Sequence, residues 1–249
     1  MESSFLAGKR VAFFGGSFDP PHKGHLAVAR AAREALSLDT VLFAPVGAQP
    51  LKPEGSTASF EDRVAMTRLA IAGEPGFAVS LADAPKSSAA PNYTLDTLLD
   101  LRAQLPPQGR LFCLMGADSF FGLRRWHLAA EIPFVAPLII ASRPGQPLDD
   151  LRQALPPDLT MDAAPPETDS MHDLSGSTFG LYRYILRNTA GETAPLYLLP
   201  GLNIDISASQ VREQIQSAAE ASDSGASDSG SELLCPSVLD YIRAHRLYR

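Results

Sequence analysis

Residues 11–25 read VAFFGGSFDPPHKGH, and this stretch decides the fold. Residues 11–14 have the length and the apolar composition of a buried strand. Gly15 and Gly16 then form a turn signal that leads into polar residues. From Gly24 onward the chain is rich in strong helix formers, with its apolar residues on one helical face. The stretch therefore predicts a strand that passes through a glycine-containing loop into a helix.

The same alternation of strand and helix continues along the chain. Apolar runs predict strands at residues 41–46, 77–81, 111–115, 138–141 and 196–199. Amphipathic periodicity predicts helices at residues 60–72 and 94–105. Strands that alternate with helices are typical of a parallel sheet, because parallel strands need long crossover connections. We therefore expect an α/β fold, a Rossmann-like doubly wound parallel sheet with helices on both faces, in a single domain over residues 1–249.

The second half of the chain contains less regular stretches. Residues 145–195 are Pro-rich and weakly periodic, which indicates an insertion, with one helix predicted around residues 179–187. Residues 217–232 read SAAEASDSGASDSGSE and have no apolar side chain larger than alanine, which predicts a flexible acidic low-complexity loop. Residues 233–249 regain amphipathic periodicity. They predict a C-terminal helix that docks back on the domain.

Composition excludes several classes of protein. The chain has 249 residues, 45% of them hydrophobic, and a net charge of −7, which argues against a broad nucleic-acid surface. Cys113 and Cys235 are too few and too isolated for a disulfide framework or a zinc site. The longest apolar run, residues 134–141, is broken by Pro137 and is too short to cross a bilayer. We expect a cytoplasmic protein with no nucleic-acid or membrane partner, and the oligomeric state stays open.

The loop between the first strand and the first helix is the candidate reaction site, because open α/β sheets bind ligands at such positions. Gly15 and Gly16 let the backbone approach a phosphate closely, and the N–H groups at the helix start favour an anion. His22 and His25, three residues apart, can direct ring donors toward one anionic centre. Taken singly, each of these features is common in structural turns and surfaces. Together they favour a nucleoside triphosphate.

Two motifs carry a resemblance to a known group of enzymes. The pattern Gly-Gly-x-Phe-Asp-Pro-x-His-x-x-His at residues 15–25 resembles the signature of the nucleotidylyltransferase superfamily. The sequence ISASQVR at residues 206–212 resembles its later motif Ile-Ser-Ser-Thr-x-x-Arg, with Ala208 and Ser209 as departures. A serine that caps a helix would explain the second motif locally. The helix start and Arg212 would also make a second cationic wall for phosphates.

The likeness extends over most of the chain and points to bacterial nicotinate-mononucleotide adenylyltransferases. The matching pieces are Asn-Tyr-Thr-Leu-Asp-Thr-Leu at 92–98, Gly-Ala-Asp-Ser at 116–119, Trp126, Arg-Pro-Gly at 143–145 and the ending at 241–249. The resemblance implies transfer of AMP from ATP to nicotinate mononucleotide, which gives deamido-NAD and pyrophosphate in NAD biosynthesis. One departure is Gln-Pro-Leu-Lys at residues 49–52, where the family often has Pro-Pro-His followed by a basic residue.

The resemblance also implies a set of site residues. The ATP site would contain Gly15, Gly16, Ser17, Phe18, His22, His25, Gly116, Asp118, Ile206, Ser207, Ser209 and Arg212. The acceptor site would contain Lys52, Tyr93, Thr94, Trp126 and Arg143. His22, His25 and Arg212 would be catalytic, and Mg²⁺ would be held mainly by the phosphates. Asp118 would bind ribose hydroxyls, or it would only cap a helix; Trp126 would stack on the pyridine ring, or it would only anchor the core.

Three other functions remain to be compared with this one. The same chemistry on nicotinamide mononucleotide or phosphopantetheine would keep both phosphate motifs and change the acceptor contacts. A non-catalytic nucleotide-binding regulator would be expected to lose His22, His25 or Arg212, and all three are present. An NAD-dependent oxidoreductase would be expected to carry the glycine fingerprint Gly-x-Gly-x-x-Gly, which the first loop lacks.

Overall fold

The computed structural model describes residues 10–52, 54–88, 90–142, 148–163, 180–200, 202, 206–221 and 232–249. The strands are β1 (Arg10–Gly16), β2 (Thr40–Pro45), β3 (Phe77–Val79), β4 (Arg110–Gly116), β5 (Leu138–Ala141), β6 (Leu159–Ala163), β7 (Tyr182–Asn188) and β8 (Thr193–Leu199). The helices are α1 (Lys23–Ala35), α2 (Phe60–Ala70), α3 (Thr94–Gln104), α4 (Ala117–Phe121), α5 (Ile132–Val135), α6 (Leu148–Ala154), α7 (Ala208–Ala221) and α8 (Pro236–Ala244).

The described strands form one sheet in the order β3-β2-β1-β4-β5-β8-β7-β6. β1 pairs in parallel with both β2 and β4, so that Phe13 lies opposite Leu42 on one side and Cys113 on the other. The chain therefore winds outward in both directions from β1, and the switch point lies between β1 and β4. Among the described strands, β7 alone runs opposite to the others, and it pairs antiparallel with both β6 and β8. The predicted doubly wound α/β class is confirmed.

The unbroken apolar run of β1 follows from burial on both faces of the sheet. Val11 and Phe13 point into one core cluster, which includes Leu98 of α3. Ala12 and Phe14 point into the cluster on the opposite face, which includes Leu26 of α1 and its neighbours. Successive residues of β1 therefore alternate between the two core clusters, and both faces of the strand are apolar.

A third core cluster lies beside the sheet, where α2, α7 and α8 meet. Met66 of α2, Val211 of α7 and Ile242 of α8 are buried together in it, with Tyr248 after α8. α8 packs mainly on α2. Helix α8 thus lies within residues 233–249, the segment for which the sequence predicts a C-terminal helix.

Two local predictions need correction. Residues 182–188 form strand β7, so the helix predicted around residues 179–187 is wrong; pairing with both β6 and β8 outweighs the helical spacing of its apolar residues. α7 continues through Ala221, so the first five residues of the predicted loop 217–232 are helical. The part of that loop at 222–231 lies outside the described residues. The described part of the predicted insertion 145–195 extends the main sheet.

Candidate active site

A cleft of about 670 Å³ opens at the carboxyl ends of β1 and β4. Its wall includes four residues of the predicted ATP set, Gly15, Gly16, Ser17 and Asp118. It also includes four of the predicted acceptor set, Lys52, Tyr93, Thr94 and Trp126. The other described residues of the ATP set lie outside the cleft lining, around the starts of α1, α4 and α7. Arg143 lies outside the described residues.

The glycines of the first loop are required by packing inside the protein. A Cβ at Gly15 would come within 2.7 Å of the Phe13 ring, and one at Gly16 within 3.3 Å of the Phe18 ring. Phe18 has a positive φ of 48° and is 1% exposed. Its ring packs edge-on against Phe14, at 5.6 Å between centroids. The side chain of Phe18 thus belongs to the core, where it shapes the loop.

His22 and His25 face each other at the start of α1. Their ring centroids are 3.7 Å apart, and His22 is 6% exposed. Burial lowers the pKa of His22 to about 4. Burial, together with the charge that His22 would carry, holds the pKa of His25 well below its usual range. Both imidazoles are therefore neutral at pH 7.

The hydrogen bonds of this pair fix one tautomer. The backbone N–H of His22 donates to Nδ1 of His25 at 3.2 Å, so the ring proton of His25 resides on Nε2. Nδ1 of His22 is buried and has no partner within the described part of the chain. The pair therefore presents ring N–H donors without a resident positive charge. Such groups can gain a proton when a polyanion arrives, because a nearby negative charge raises the pKa of an imidazole.

Asp19, between the glycines and the histidines, is the most heavily bonded residue of the loop. The residue is 4% exposed, and its carboxylate accepts hydrogen bonds from the backbone N–H groups of Thr57, at 2.6 Å, and Ala58, at 3.1 Å. The Tyr248 hydroxyl donates to the same carboxylate at 2.7 Å. Its backbone oxygen accepts from Nη1 of Arg212 at 2.7 Å. Asp19 therefore joins the loop to three distant segments.

Arg63 of α2 holds the loop at Ser17. This residue was not predicted from the sequence. It is 2% exposed and donates to the backbone oxygens of Ser17, at 2.7 Å, and Val46, at 2.8 Å. Burial lowers its pKa, and the nearby Asp19 carboxylate opposes that shift. Its position could have been recognised from helical periodicity, because Arg63 shares a buried face of α2 with Met66. An arginine at a core-facing position indicates a buried acceptor.

The second motif forms a capped helix start. Ser207 Oγ accepts from the backbone N–H of Gln210, and Gln210 Oε1 accepts from the backbone N–H of Ser207, which is a capping box. Nη2 of Arg212 donates to Ser209 Oγ at 3.3 Å. The capping prediction is confirmed for Ser207. The same turn also aims Arg212 at the first motif, 193 residues away along the chain.

Two crossing loops, one at residues 47–48 and one at residues 84–85, form the opposite side of the cleft. Asn92 joins them by hydrogen bonds. Its backbone N–H donates to the oxygen of Ala48, its side-chain oxygen accepts from the N–H of Ala48, and its side-chain N–H donates to the oxygen of Ala84. Gly47 is needed at the crossing, because a Cβ there would collide with the backbone of Pro85. Asn92 is the first residue of the motif at 92–98, but its bridging role was not predicted from the sequence.

The start of α3 and the aromatic segment after α4 meet at the mouth of the cleft. Tyr93 is the N-cap of α3 and Thr94 its first residue. The Tyr93 ring lies 4.4 Å from the ring of His127. Trp126 is half-buried, packs against the core and also lines the cleft, so it is not a core anchor alone, and its stacking on a pyridine ring stays a prediction. Asp118 is the second residue of α4, so the alternative that it caps this helix is wrong.

Two cationic side chains line the cleft. Nζ of Lys52 lies 3.3 Å from Ser17 Oγ, and the same oxygen accepts from Gln49 Nε2 at 3.0 Å. Arg125 precedes Trp126 and is exposed; in the part of the chain that the structure describes, its side chain makes no ion pair. Lys52 was predicted from the sequence, whereas Arg125 was not, because no motif surrounds it. Leu51, at the position where the family often has histidine, is 44% exposed on the rim.

The described residues offer no group of three metal-ligating side chains. Asp19 is the carboxylate closest in sequence to the histidines, and its oxygens already accept the bonds given above. Within the described ranges, no helix is long and apolar enough to cross a membrane.

Comparison with known proteins agrees with this geometry. Residues 13–214 match the cytidylyltransferase-like family. A probable nicotinate-nucleotide adenylyltransferase from Gloeobacter violaceus is 38% identical over 97% of each chain. Another from Laribacter hongkongensis is 35% identical over 96% of this chain and 94% of its own.

A solved structure shares the fold at low sequence identity. The nicotinic acid mononucleotide adenylyltransferase of Plasmodium falciparum, complexed with NaAD, superposes with a TM-score of 0.63 at 16% identity, over 96% of this chain and 97% of its own. The family match, the full-length relatives and the two joined motifs lead to one conclusion. The chain belongs to the cytidylyltransferase-like family of nucleotidyltransferases and, within it, to the nicotinate-nucleotide adenylyltransferases.

Proposed function

We propose that this enzyme transfers the adenylyl group of ATP to nicotinate mononucleotide, which gives deamido-NAD and pyrophosphate. The contact between Arg212 and the carbonyl of Asp19 at 2.7 Å carries the proposal, because it joins the two phosphate motifs into one site. That site borders a cleft whose other residues suit an aromatic, anionic acceptor. Both cysteines are free thiols, which supports a reducing, cytoplasmic compartment.

The reaction needs one bond to form and one to break. A phosphate oxygen of the acceptor attacks the α-phosphorus of ATP in line, and the bond from that phosphorus to the bridging oxygen breaks to release pyrophosphate. No covalent enzyme intermediate is required. The work of the protein is to hold the two substrates and to stabilise the negative charge that develops in the transition state.

His22, His25 and Arg212 would stabilise that charge. The two imidazoles are neutral before ATP binds, so they do not repel each other at 3.7 Å. Nε2 of His25 has its proton available to a phosphate oxygen, since Nδ1 is occupied by the His22 N–H. Arg212, held by Asp19 and Ser209, would bind the β- and γ-phosphates. Mg²⁺, carried by the triphosphate, would neutralise part of its charge.

The acceptor would occupy the cleft. Trp126 offers a face for the pyridine ring, a contact worth about 1 kcal/mol beyond burial. The N–H groups at the start of α3, at Tyr93 and Thr94, would receive the nicotinate carboxylate, because the first N–H groups of a helix lack internal partners. Lys52 and Arg125 supply two cations for an acceptor that carries a carboxylate and a phosphate.

The first test is to measure pyrophosphate release from ATP with magnesium, in parallel with nicotinate mononucleotide, nicotinamide mononucleotide and phosphopantetheine. We expect a strong preference for the first. Preference for another acceptor would keep the chemistry and overturn the assigned acceptor. Absence of release with all three, from protein that binds ATP, would support a nucleotide-binding regulator.

A further inference from the structure

The C-terminal segment reaches the phosphate loop from two sides. Before α8, the backbone oxygen of Leu233 accepts from the N–H of Lys23 at 2.9 Å, and the oxygen of Glu232 accepts from Nζ of Lys23 at 2.7 Å. After α8, the Tyr248 hydroxyl donates to the Asp19 carboxylate at 2.7 Å. These three hydrogen bonds bracket the loop between Asp19 and Lys23, which contains His22.

The contact of Tyr248 is a buried one. Tyr248 is 4% exposed and Asp19 is also 4% exposed. A buried carboxylate needs its full set of donors, because an unsatisfied one is costly in free energy. Burial raises the pKa of Tyr248, with further contributions from the hydrogen bond to Asp19 and from its charge. The phenol therefore keeps its proton and remains a donor over the whole working pH range.

The backbone at Tyr248 is held in an uncommon conformation. Its φ is +60°, in the left-handed region that side chains with a Cβ rarely adopt. The surrounding contacts must stabilise this conformation, and the ring is part of the cluster formed by α2, α7 and α8. The turn after Leu247 thus directs the hydroxyl to Asp19.

Asp19 connects this hydroxyl to Arg212. Its carboxylate is fixed by Tyr248 and by two backbone N–H groups, while the carbonyl of the same residue accepts from Arg212. The carboxylate and the carbonyl belong to one residue, so a displacement of the Asp19 backbone, which the bonds to the carboxylate oppose, would move the acceptor that holds the Arg212 guanidinium. We propose that Tyr248 is a positioning residue of the ATP site, which fixes Asp19 so that Arg212 and the loop before His22 are aligned for the triphosphate.

This inference rests on the proposed function for its consequence in turnover, but ATP binding tests it separately. Tyr248→Phe keeps the ring in its cluster and removes the donor. We expect the dissociation constant for ATP with magnesium, measured by calorimetry without acceptor, to rise on the order of tenfold, as for loss of a hydrogen bond to a charged group. In turnover, KM for ATP should rise similarly while KM for the acceptor stays within about twofold.

Tyr241→Phe is the matched control. Tyr241 lies in α8 and its hydroxyl donates to Asp62 at 2.9 Å, away from the phosphate loop. Tyr241→Phe should leave the dissociation constant for ATP and KM for ATP unchanged. If Tyr248→Phe lowers the thermal midpoint but leaves the ATP affinity unchanged at a temperature well below that midpoint, its contribution is to folding only and the proposal is wrong.

A double-mutant cycle tests the route through Arg212. If Tyr248 acts by way of Asp19 on Arg212, then Tyr248→Phe should weaken ATP binding by less than about twofold in an Arg212→Lys background. Multiplicative effects of the two substitutions would overturn that route. A wild-type protein that binds ATP but turns over no acceptor would overturn the proposed function, and the binding measurements would still decide the position of Tyr248.

Discussion

The two sides of the site are built in different ways. The phosphate wall, residues 15–25 and 206–212, is held by buried charged groups, with Asp19 at 4% exposure and Arg63 behind it at 2%. The acceptor wall, residues 49–52, 83–88, 90–94 and 122–127, consists mainly of loops, two of which are tied together by hydrogen bonds from Asn92 to backbone groups. Several of its cleft-lining side chains, Leu51, Lys52, Arg125 and His127, are exposed.

This difference follows from what each wall binds. Stabilising charge in a transition state requires donors that are already in place, so the phosphate wall is fixed before ATP arrives. The acceptor wall needs shape and a few polar contacts, and loops on a rigid scaffold can vary these without changing the chemistry. Substitutions should therefore act on the two walls by different mechanisms and with different magnitudes.

Arg63→Met should give the largest effect, because Arg63 holds Ser17 of the phosphate wall and Val46, which leads into the acceptor wall. It leaves buried carbonyl oxygens without a donor. We expect the free energy of unfolding in urea to fall by about 3–5 kcal/mol. Arg68→Met, on the exposed side of the same helix, is the control and should change it by less than about 0.5 kcal/mol. A loss below 1 kcal/mol for Arg63→Met would contradict the claim that buried charged groups hold the phosphate wall.

Acid should destabilise the phosphate wall through His22. Burial lowers its pKa from 6.5 to about 4, so between these values the unfolded chain binds more protons than the folded one. The contribution of neutral His22 to the free energy of unfolding is therefore fully present above pH 6.5. It falls as the pH drops toward 4, with a loss of roughly 3 kcal/mol from this group.

The measurement is urea unfolding of the wild type and of His22→Asn at several pH values. The variant should lose less stability than the wild type over this window. His127→Asn, at an exposed histidine of the acceptor wall, is the control and should change the pH dependence less than His22→Asn does. Equal slopes for wild type and His22→Asn would show that His22 is not buried in its neutral form.

His25→Ala should lower kcat at least about a hundredfold, since loss of a preorganised donor to a reacting phosphate costs about 3 kcal/mol. His22→Ala should have a similar effect. His245→Ala, at an exposed histidine after α8, is the control. Near-normal turnover of folded His25→Ala, checked by circular dichroism, would remove the histidine pair from the mechanism.

Trp126→Ala should have the smallest and most selective effect. We expect KM for nicotinate mononucleotide to rise about tenfold, while KM for ATP stays within about twofold, because the residue belongs to the acceptor wall alone. Trp126→Phe keeps an aromatic face and should recover most of the affinity. If KM for ATP rises equally, the two walls are not separable.

Much of the site could be predicted from local sequence. The strand, the glycine turn and the helix of residues 11–36 follow from residue preferences, and Ser207 caps α7 as its position in the motif indicated. The helix predicted around residues 179–187 failed because β7 is stabilised by pairing with strands on both sides, which local periodicity does not contain. Phe18 was assigned to the ATP site although its ring is in the core, because a motif does not distinguish residues needed for binding from residues needed for packing.

The sequence by itself determined the fold class, the two phosphate motifs and the catalytic candidates, because each is encoded within a short segment whose local geometry it dictates. The tertiary structure decided which distant residues complete the site. Arg63, Asn92 and Tyr248 each bond to a segment far away in the chain, and no local pattern specifies a partner across that separation. It also decided the protonation state of His22, since a pKa depends on the burial that only the folded chain provides.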